Sequence, residues 1–296
     1  MKNISITFRH IDIKLKKSKS MEMKEKPVLL EIVNPNAPRG SFKFAVFDFD
    51  GTISLIREGW QQIMIPYFTD EMALCPGAKN IPREKITETA RDFIYINTGK
   101  QTIYQCIELA KRVNELGGKA LEPLAYKAEF HRRLEIRIEN RIKELEDNPA
   151  NAVKHIVPGS FEILDALKEK GVICYLASGT DERYVLQEAS LLGVTHYFAG
   201  IFGAQDDYKS FSKKMLIEKI IKENNLSGKE LLGFGDGYVE IENTKEAGGF
   251  AVGVATDEVK RNGIDEWKRN RLKNSGADII IPDFTDTSGL IAYLFE

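Results

Sequence analysis

Acidic side chains directly follow apolar segments at two places in this sequence. Asp48 and Asp50 follow the segment Phe42–Phe47, and Asp236 comes shortly after Leu231–Phe234. Because the carboxyl ends of parallel strands meet at one edge of a sheet, we expect these carboxylates to lie together. Each close pair of like charges costs about 4 kcal/mol at an effective dielectric constant near 20. Such a cluster needs a cation, and oxygen ligands without histidine or cysteine favour Mg²⁺.

Other residues at predicted strand ends suit a phosphate group. Ser178, which follows the apolar segment Val172–Ala177, can donate a hydroxyl hydrogen bond to a phosphoryl oxygen. Gly179 has no side chain, so its backbone can approach closely, and it lies near a predicted helix N-terminus, which favours anions. A lysine at the start of the next helix supplies a compact positive charge. One carboxylate could then attack phosphorus while a neighbouring one protonates the leaving oxygen.

The elements that must position these groups alternate between strand and helix. The predicted strands are Phe42–Phe47, Val172–Ala177, Tyr197–Gly203, Leu231–Phe234, Phe250–Val254 and Asp278–Ile281. The predicted helices between them are Ser160–Lys170, Asp181–Leu192, Lys213–Glu223 and Ile241–Ala247. Short apolar strands that alternate with helices indicate an α/β fold, with a Rossmann-like parallel sheet covered on both faces.

A helical region interrupts this α/β pattern after its first strand. Apolar residues recur with helical spacing in Ile86–Ile96, Thr102–Leu116 and Pro123–Glu146. We therefore predict an inserted α-helical cap at 56–151 and an α/β core made of 41–55 and 152–296, with a cleft between them. Residues 1–40 form an N-terminal extension in which Pro27–Val33 could be an edge strand.

The composition excludes several classes of partner and site. The chain has 296 residues and a formal net charge of −2, so no polyanion such as nucleic acid is expected as a partner. Its cysteines, Cys75, Cys106 and Cys174, form no CxxC pair, which argues against a disulfide framework and a zinc site. No stretch approaches the ~20 apolar residues of a membrane span, and no signal-type run is present. We expect a cytoplasmic protein and leave its oligomeric state open.

Four segments resemble the ordered motifs of the haloacid dehalogenase (HAD) superfamily. They are Phe44–Thr52 (FAVFDFDGT), Ile173–Thr180 (ICYLASGT), Ser212–Ile217 (SKKMLI) and Leu232–Glu242 (LGFGDGYVEIE). The spacing resembles the version of that family in which a helical cap lies between the first and second motifs. The resemblance in sequence covers the core. For the cap, only its position in the chain resembles the family.

The resemblance implies a role for each motif residue. Asp48 would be the nucleophile that forms an aspartyl-phosphate, and Asp50 the general acid and then the base that activates water. Ser178 would orient the phosphoryl group, and Lys213 would neutralise charge between nucleophile and phosphate. The implied Mg²⁺ ligands are Asp48, the backbone carbonyl of Asp50, Asp236, and Glu240 through water.

The choice among three nearby lysines rests on helix geometry. Lys213 is preferred over Lys214 and Lys209 because it then lies at the tip of a helix whose inward face is formed by Ile217, Ile220 and Ile221.

Further residues are candidates for substrate binding. Gly179 and Thr52 belong to the motifs, and Arg57 and Trp60 follow the first motif and could face the cleft. Trp60 could equally pack in the core of the cap, and Arg57 is expected to be solvated unless it binds substrate.

The motifs favour an Mg²⁺-dependent phosphatase that acts on a small phosphorylated metabolite. A sugar phosphate or a phosphoglycolate-like phosphomonoester would suit a site covered by a helical cap. Asp50 supports phosphoryl transfer because it can protonate the leaving group. Two alternatives stay open, namely a phosphomutase similar to beta-phosphoglucomutase and a non-catalytic phosphate-binding protein.

Overall fold

A central, mostly parallel sheet organises the molecule. The computed structural model describes residues 30–209 and 212–296, and the sheet within them has the strand order β1-β7-β6-β5-β2-β3-β4. The strands are β1 Glu31–Ile32, β2 Phe44–Phe47, β3 Ile173–Asp181, β4 Phe198–Ala204, β5 Leu231–Gly235, β6 Phe250–Val254 and β7 Ile279–Ile281. Only β1 is antiparallel to its neighbour among these strands, and it lies at the edge beside β7.

Helices cover both faces of the sheet and also form a separate inserted block. The block between β2 and β3 contains α1 Gln61–Ala73, α2 Arg83–Ile96, α3 Thr102–Glu115 and α4 Pro123–Asp147. The remaining helices are α5 Ser160–Glu169, α6 Glu182–Leu191, α7 Lys213–Glu223, α8 Tyr238–Glu246, α9 Glu266–Asn274 and α10 Thr287–Phe295. The predicted fold class, a Rossmann-like α/β core with an inserted helical cap, is confirmed.

The inserted helices pack on one another through apolar faces. The stripe on α4 buries Phe130, Leu134 and Ile138, as its spacing predicts. On the facing helices, the rings of Phe68 and Phe93 stack with their centroids 5.9 Å apart. The exact boundaries of the cap, at 56 and 151, stay a prediction.

The register of the sheet brings the ends of three strands to one edge. Phe47 of β2 is paired with Leu176 of β3 on one side and with Phe234 of β5 on the other. β2 and β5 are buried along their whole length, as expected for central parallel strands. The residues that follow these paired positions therefore emerge side by side.

The predicted end of β3 was wrong. The sequence predicted that a strand ends at Ala177 and that a helix begins at Asp181, but β3 continues to Asp181. The strand is longer because Asp181 still pairs with Ala204 of β4, across an irregular register. Ser178 and Gly179 thus lie on the last part of a strand.

The structure describes only part of the predicted N-terminal extension. Residues 1–29 of the predicted extension lie outside the described residues, as does the first part of the predicted strand Pro27–Val33. The described remainder of that strand is β1, which pairs with β7.

In the part of the chain that the structure describes, no helix is both long and apolar enough to cross a membrane.

Candidate active site

A cavity of about 110 Å³ opens at the carboxyl edge of the sheet, beneath the inserted helices. Residues after β2, on β3, at the start of α7 and after β5 form its floor, and inserted helices form its roof. The predicted site residues that line it are Asp48, Asp50, Arg57, Trp60, Ser178, Gly179, Lys213 and Asp236.

A buried lysine joins two of the predicted carboxylates. The Nζ atom of Lys213 lies 2.6 Å from Oδ1 of Asp48 and also contacts the carboxylate of Glu240. All three side chains are buried. The Ser212 hydroxyl caps α7 by accepting a hydrogen bond from the Met215 amide, so Lys213 lies at the helix tip. Packing of α7 on the sheet then points Lys213 into the cavity.

The other two candidate lysines lie elsewhere. Lys214 is exposed and pairs with Glu246 at 2.7 Å. Lys209 is also exposed, and its ammonium group lies over the Tyr208 ring. The structure thus brings Lys213, and neither of these two, to Asp48.

Asp50 is held by two hydroxyl groups. Thr180 Oγ1 and Ser178 Oγ both donate to Asp50 Oδ2, at 2.8 and 3.2 Å. Oδ1 of Asp50 is buried and accepts no hydrogen bond, and the nearest cation is Arg57, whose Nε lies 3.9 Å away. The sequence assigned no role to Thr180 although it belongs to the quoted SGT motif. Its position two residues after Ser178 on one strand face is the signal that could have identified it.

A second buried lysine holds Asp236. Nζ of Lys268 lies 2.7 Å from Oδ2 of Asp236 and 2.5 Å from Oε1 of Glu258. Sequence reasoning missed both Lys268 and Glu258, because α9 resembles a solvated charged segment. The capping signal of Asp265, whose carboxylate accepts from the amides of Trp267 and Lys268, could have located this helix.

The electrostatics of the site follow from burial of charge. Burial raises the pKa of the Asp48 carboxyl, and the negative charges of Glu240 and Asp236 add to this effect while Lys213 opposes it. Burial works against the charged form of Lys213, but Asp48 and Glu240 more than offset it and raise its pKa. Asp236 and Glu258 likewise overcome burial and raise the pKa of Lys268. Both lysines are therefore cationic at neutral pH.

The donor set is chemically suited to a hard cation. Among the described residues, no three His, Cys, Asp or Glu side chains already form a metal-binding group. Lysines take up part of the carboxylate charge, yet Asp50 Oδ1 and Glu240 Oε2 are buried without a hydrogen-bond partner. Such orphaned oxygens call for a proton or a cation. Because only oxygen donors are present, Mg²⁺ fits the residues of the site.

Arg57 is placed differently from the expectation of a solvated side chain. It is buried, and its Nε and one terminal nitrogen donate to Oε1 of Glu188 on α6, at 2.9 and 2.7 Å. Coulombic attraction of Glu188 and Asp50 outweighs burial and raises its pKa. The partner was not visible in the sequence because Glu188 is 131 residues away.

The other predicted binding residues differ in their access to the cavity. Trp60 is partly buried, lines the cavity and also packs against the apolar core. Gly179 lines the cavity, and a Cβ atom there would lie 2.7 Å from the backbone oxygen of Lys100. Thr52 is fully buried and is not among the residues that line the cavity.

The fold and this cluster define an α/β protein with a carboxylate–lysine site beneath an inserted helical cap. Residues 42–248 match the family model of haloacid dehalogenase-like hydrolases, and the chain belongs to that family. The predicted family membership is thereby confirmed. A search of curated proteins returned no match.

Similar solved structures share this architecture. A predicted phosphoglycolate phosphatase from Haemophilus somnus 129PT is 18% identical with a TM-score of 0.56, over 84% of this chain and 98% of that chain. A predicted phosphatase from Clostridium acetobutylicum is 15% identical with a TM-score of 0.55, over 86% and 100%. A protein from Thermotoga maritima, described as a candidate beta-phosphoglucomutase, is 16% identical with a TM-score of 0.50, over 86% and 100%. At these identities the likeness shows the fold alone.

Proposed function

We propose that this protein is an Mg²⁺-dependent phosphatase that hydrolyses a small phosphorylated metabolite through an aspartyl-phosphate on Asp48. A sugar phosphate or a phosphoglycolate-like phosphomonoester would suit the cavity. The observation that carries the proposal is the contact of Lys213 with both Asp48 and Glu240, beside an Asp50 that two hydroxyls orient. Membership of a hydrolase family supports it. The cytoplasm remains the proposed location.

In the first step, Asp48 attacks the substrate phosphorus. Lys213 holds Oδ1, which leaves Oδ2 as the attacking oxygen, and a bond forms between Oδ2 and phosphorus while the bond to the leaving oxygen breaks. Asp50 donates a proton to that leaving oxygen. Because Ser178 and Thr180 donate to Oδ2 of Asp50, the unpartnered Oδ1 is the atom that carries the proton.

In the second step, water hydrolyses the aspartyl-phosphate. Asp50, now ionised, accepts a proton from water at Oδ1, and the water oxygen bonds to phosphorus as the bond to Asp48 breaks. Free phosphate leaves and both carboxyl groups return to their starting state. Lys213 remains charged throughout and balances the negative charge beside Asp48.

Mg²⁺ would be held by Asp48, the backbone carbonyl of Asp50 and Asp236, with Glu240 acting through water. When bound, it would neutralise phosphoryl oxygen charge.

The test is phosphate release from a panel of phosphorylated metabolites with Mg²⁺. We expect Asp48→Asn to lower the rate at least about a thousandfold, because an amide is a poor nucleophile. Lys214→Gln is the matched surface control and should retain activity. Full turnover in Asp48→Asn would remove Asp48 from the nucleophile role. An isomerised product without free phosphate would favour the phosphomutase, and binding without turnover would favour a phosphate-binding protein.

A further inference from the structure

One basic side chain of the cavity is held by aromatic rings. Arg271 on α9 lines the cavity and is partly buried. Its Cζ atom lies 4.6 Å from the centroid of the Tyr238 ring and 5.1 Å from that of Trp267. Contacts with ring faces fix the plane of a guanidinium group and leave its N–H edge available.

Carboxylates compensate the charge of Arg271 less well than they compensate the other buried cations of the cavity. Arg57, Lys213 and Lys268 also line the cavity, and each pairs closely with a carboxylate. Among the residues that the structure describes, no carboxylate oxygen lies within 4.0 Å of the Arg271 guanidinium. Burial accordingly lowers the pKa of Arg271, whereas carboxylates raise that of Lys268 on the same helix. Arg271 thus remains an incompletely compensated cation facing the cavity.

This arginine lies where the inserted helices meet the core. The Trp267 ring is 5.1 Å from the ring of Tyr95 on α2, and the Tyr238 hydroxyl donates to the backbone oxygen of Ile96 at 3.0 Å. The rings that frame Arg271 are therefore themselves fixed by the end of α2. Arg271 and Asp236 line the same cavity. The charges of Asp236 and Glu240 act to raise the pKa of Arg271, but they do not offset the effect of burial.

We propose that Arg271 forms a second anion subsite, which binds a carboxylate or second phosphate group carried by the phosphorylated substrate. The inference rests on the proposed function and narrows it to short phosphomonoesters with two anionic ends. The planar guanidinium presents paired donors that fit either group in a bidentate manner. A phosphate at Asp48 and an anion at Arg271 would bind the two ends of one small molecule.

The test uses straight-chain phosphomonoesters of increasing length that end in a methyl, a carboxylate or a second phosphate group. At the chain length that spans the subsites, we expect the wild type to favour an anionic end over methyl by about tenfold or more in kcat/KM. Comparison of the carboxylate and bisphosphate arms identifies the preferred anion. Arg271→Gln should lose the preference, so that its kcat/KM for the anionic-ended esters falls towards its own kcat/KM for the methyl-ended esters.

Two further variants separate recognition from a structural role. Arg269→Gln removes an arginine from the same helix that pairs with Glu31, so it should lower stability and keep the preference. Arg271→Lys keeps the charge but loses the planar, paired N–H donors, so it should retain only part of the preference. An unchanged preference in Arg271→Gln, or no preference in the wild type, would overturn the subsite.

Calorimetric binding of the same carboxylate and bisphosphate esters separates this inference from the proposed function. If the wild type turns over none of the esters, the proposed function fails. Affinity for the two-anion esters that drops about tenfold in Arg271→Gln would still support the subsite. Equal affinity in both proteins would refute it.

Discussion

Lys213 and Lys268 compensate charge in the same way at two points of the cavity. Each ammonium group contacts two carboxylates, the buried pair of Asp48 and Glu240 in one case and the partly buried pair of Asp236 and Glu258 in the other. An uncompensated charge removed from water is costly, so each lysine offsets part of the negative charge of the two acids that it contacts. The site is therefore organised by side chains of the protein itself.

Replacement of Lys268 by Met tests whether this lysine compensates the charge of the two acids. Without the ammonium group, Asp236 and Glu258 are left as close, partly buried acids, and we expect the free energy of unfolding to fall by about 3 kcal/mol. Because a divalent cation can replace the lost charge, Mg²⁺ should restore more stability to the variant than it adds to the wild type. Chemical denaturation with and without Mg²⁺ measures both effects. Equal Mg²⁺ responses would show that Lys268 does not support Asp236.

At the scale of elements, a small ion network fastens the edge strand β1 to the core. Glu31 on β1 accepts hydrogen bonds from Arg269 and Lys273 on α9, at 2.6 and 2.7 Å. These bonds, Arg269 first, lower the pKa of Glu31 from 4.5 to about 2, against the opposing effect of partial burial. A two-residue strand has few ladder hydrogen bonds, so this network is a large share of its attachment.

Glu31→Gln should therefore lower the free energy of unfolding by an amount that depends on pH. Because the pKa of Glu31 is lower in the folded state, its ionised form stabilises the protein above pH 4.5, and this contribution disappears as the pH falls towards about 2. Because solvent screens these charges, we expect the loss in the free energy of unfolding to be about 1 kcal/mol at neutral pH. Denaturant unfolding of wild type and variant should show this difference shrinking with acidification. A difference that is constant with pH would contradict the account.

At the scale of the whole molecule, buried polar groups tie the inserted helices to the core. Nζ of Lys127 on α4 lies 2.6 Å from Oδ1 of Asp181 at the end of β3, and Nδ1 of His131 lies 3.7 Å from its other oxygen. Burial lowers the pKa of His131 to about 3, assisted by Arg57 and Lys127, so its imidazole is neutral at neutral pH. Lys127 therefore supplies the positive charge nearest to Asp181.

Lys127→Met should weaken this junction. It leaves the buried Asp181 carboxylate without its ion-pair partner, and we expect a loss of about 3 kcal/mol in the free energy of unfolding. Adding Asp181→Asn removes the unpaired charge and should return part of that loss, which a double-mutant cycle measures. Lys111, an exposed lysine on α3, provides the control Lys111→Met. Strict additivity of the two changes would show that no such coupling exists.

The sequence predicted those features that are encoded locally. Apolar strands followed by Asp48 or Asp236 gave both the sheet and the edge at which the acids meet. Helical spacing located α2, α3 and α4 to within a few residues at each end. These predictions succeeded because strand ends, caps and apolar periodicity depend on neighbouring residues.

The features that the sequence did not predict depend on distant contacts or on local exceptions. Helix α1 contains Pro66, which normally ends a helix, but burial of Tyr67 and Phe68 outweighs the missing hydrogen bond. Helix α9 looks like a solvated segment, and the contact of Lys268 with Asp236 joins residues 32 positions apart. Long-range pairs of this kind have no signature in one sequence.

If a phosphoryl group passes through Asp48, the covalent intermediate can be trapped and located by labelling. Protein incubated with a phosphate-labelled ester and Mg²⁺ is quenched with acid, digested and mapped. We expect an acid-stable, hydroxylamine-sensitive label on the peptide that contains Asp48, with no label in Asp48→Asn. A label on another residue, or the same label in the variant, would contradict it.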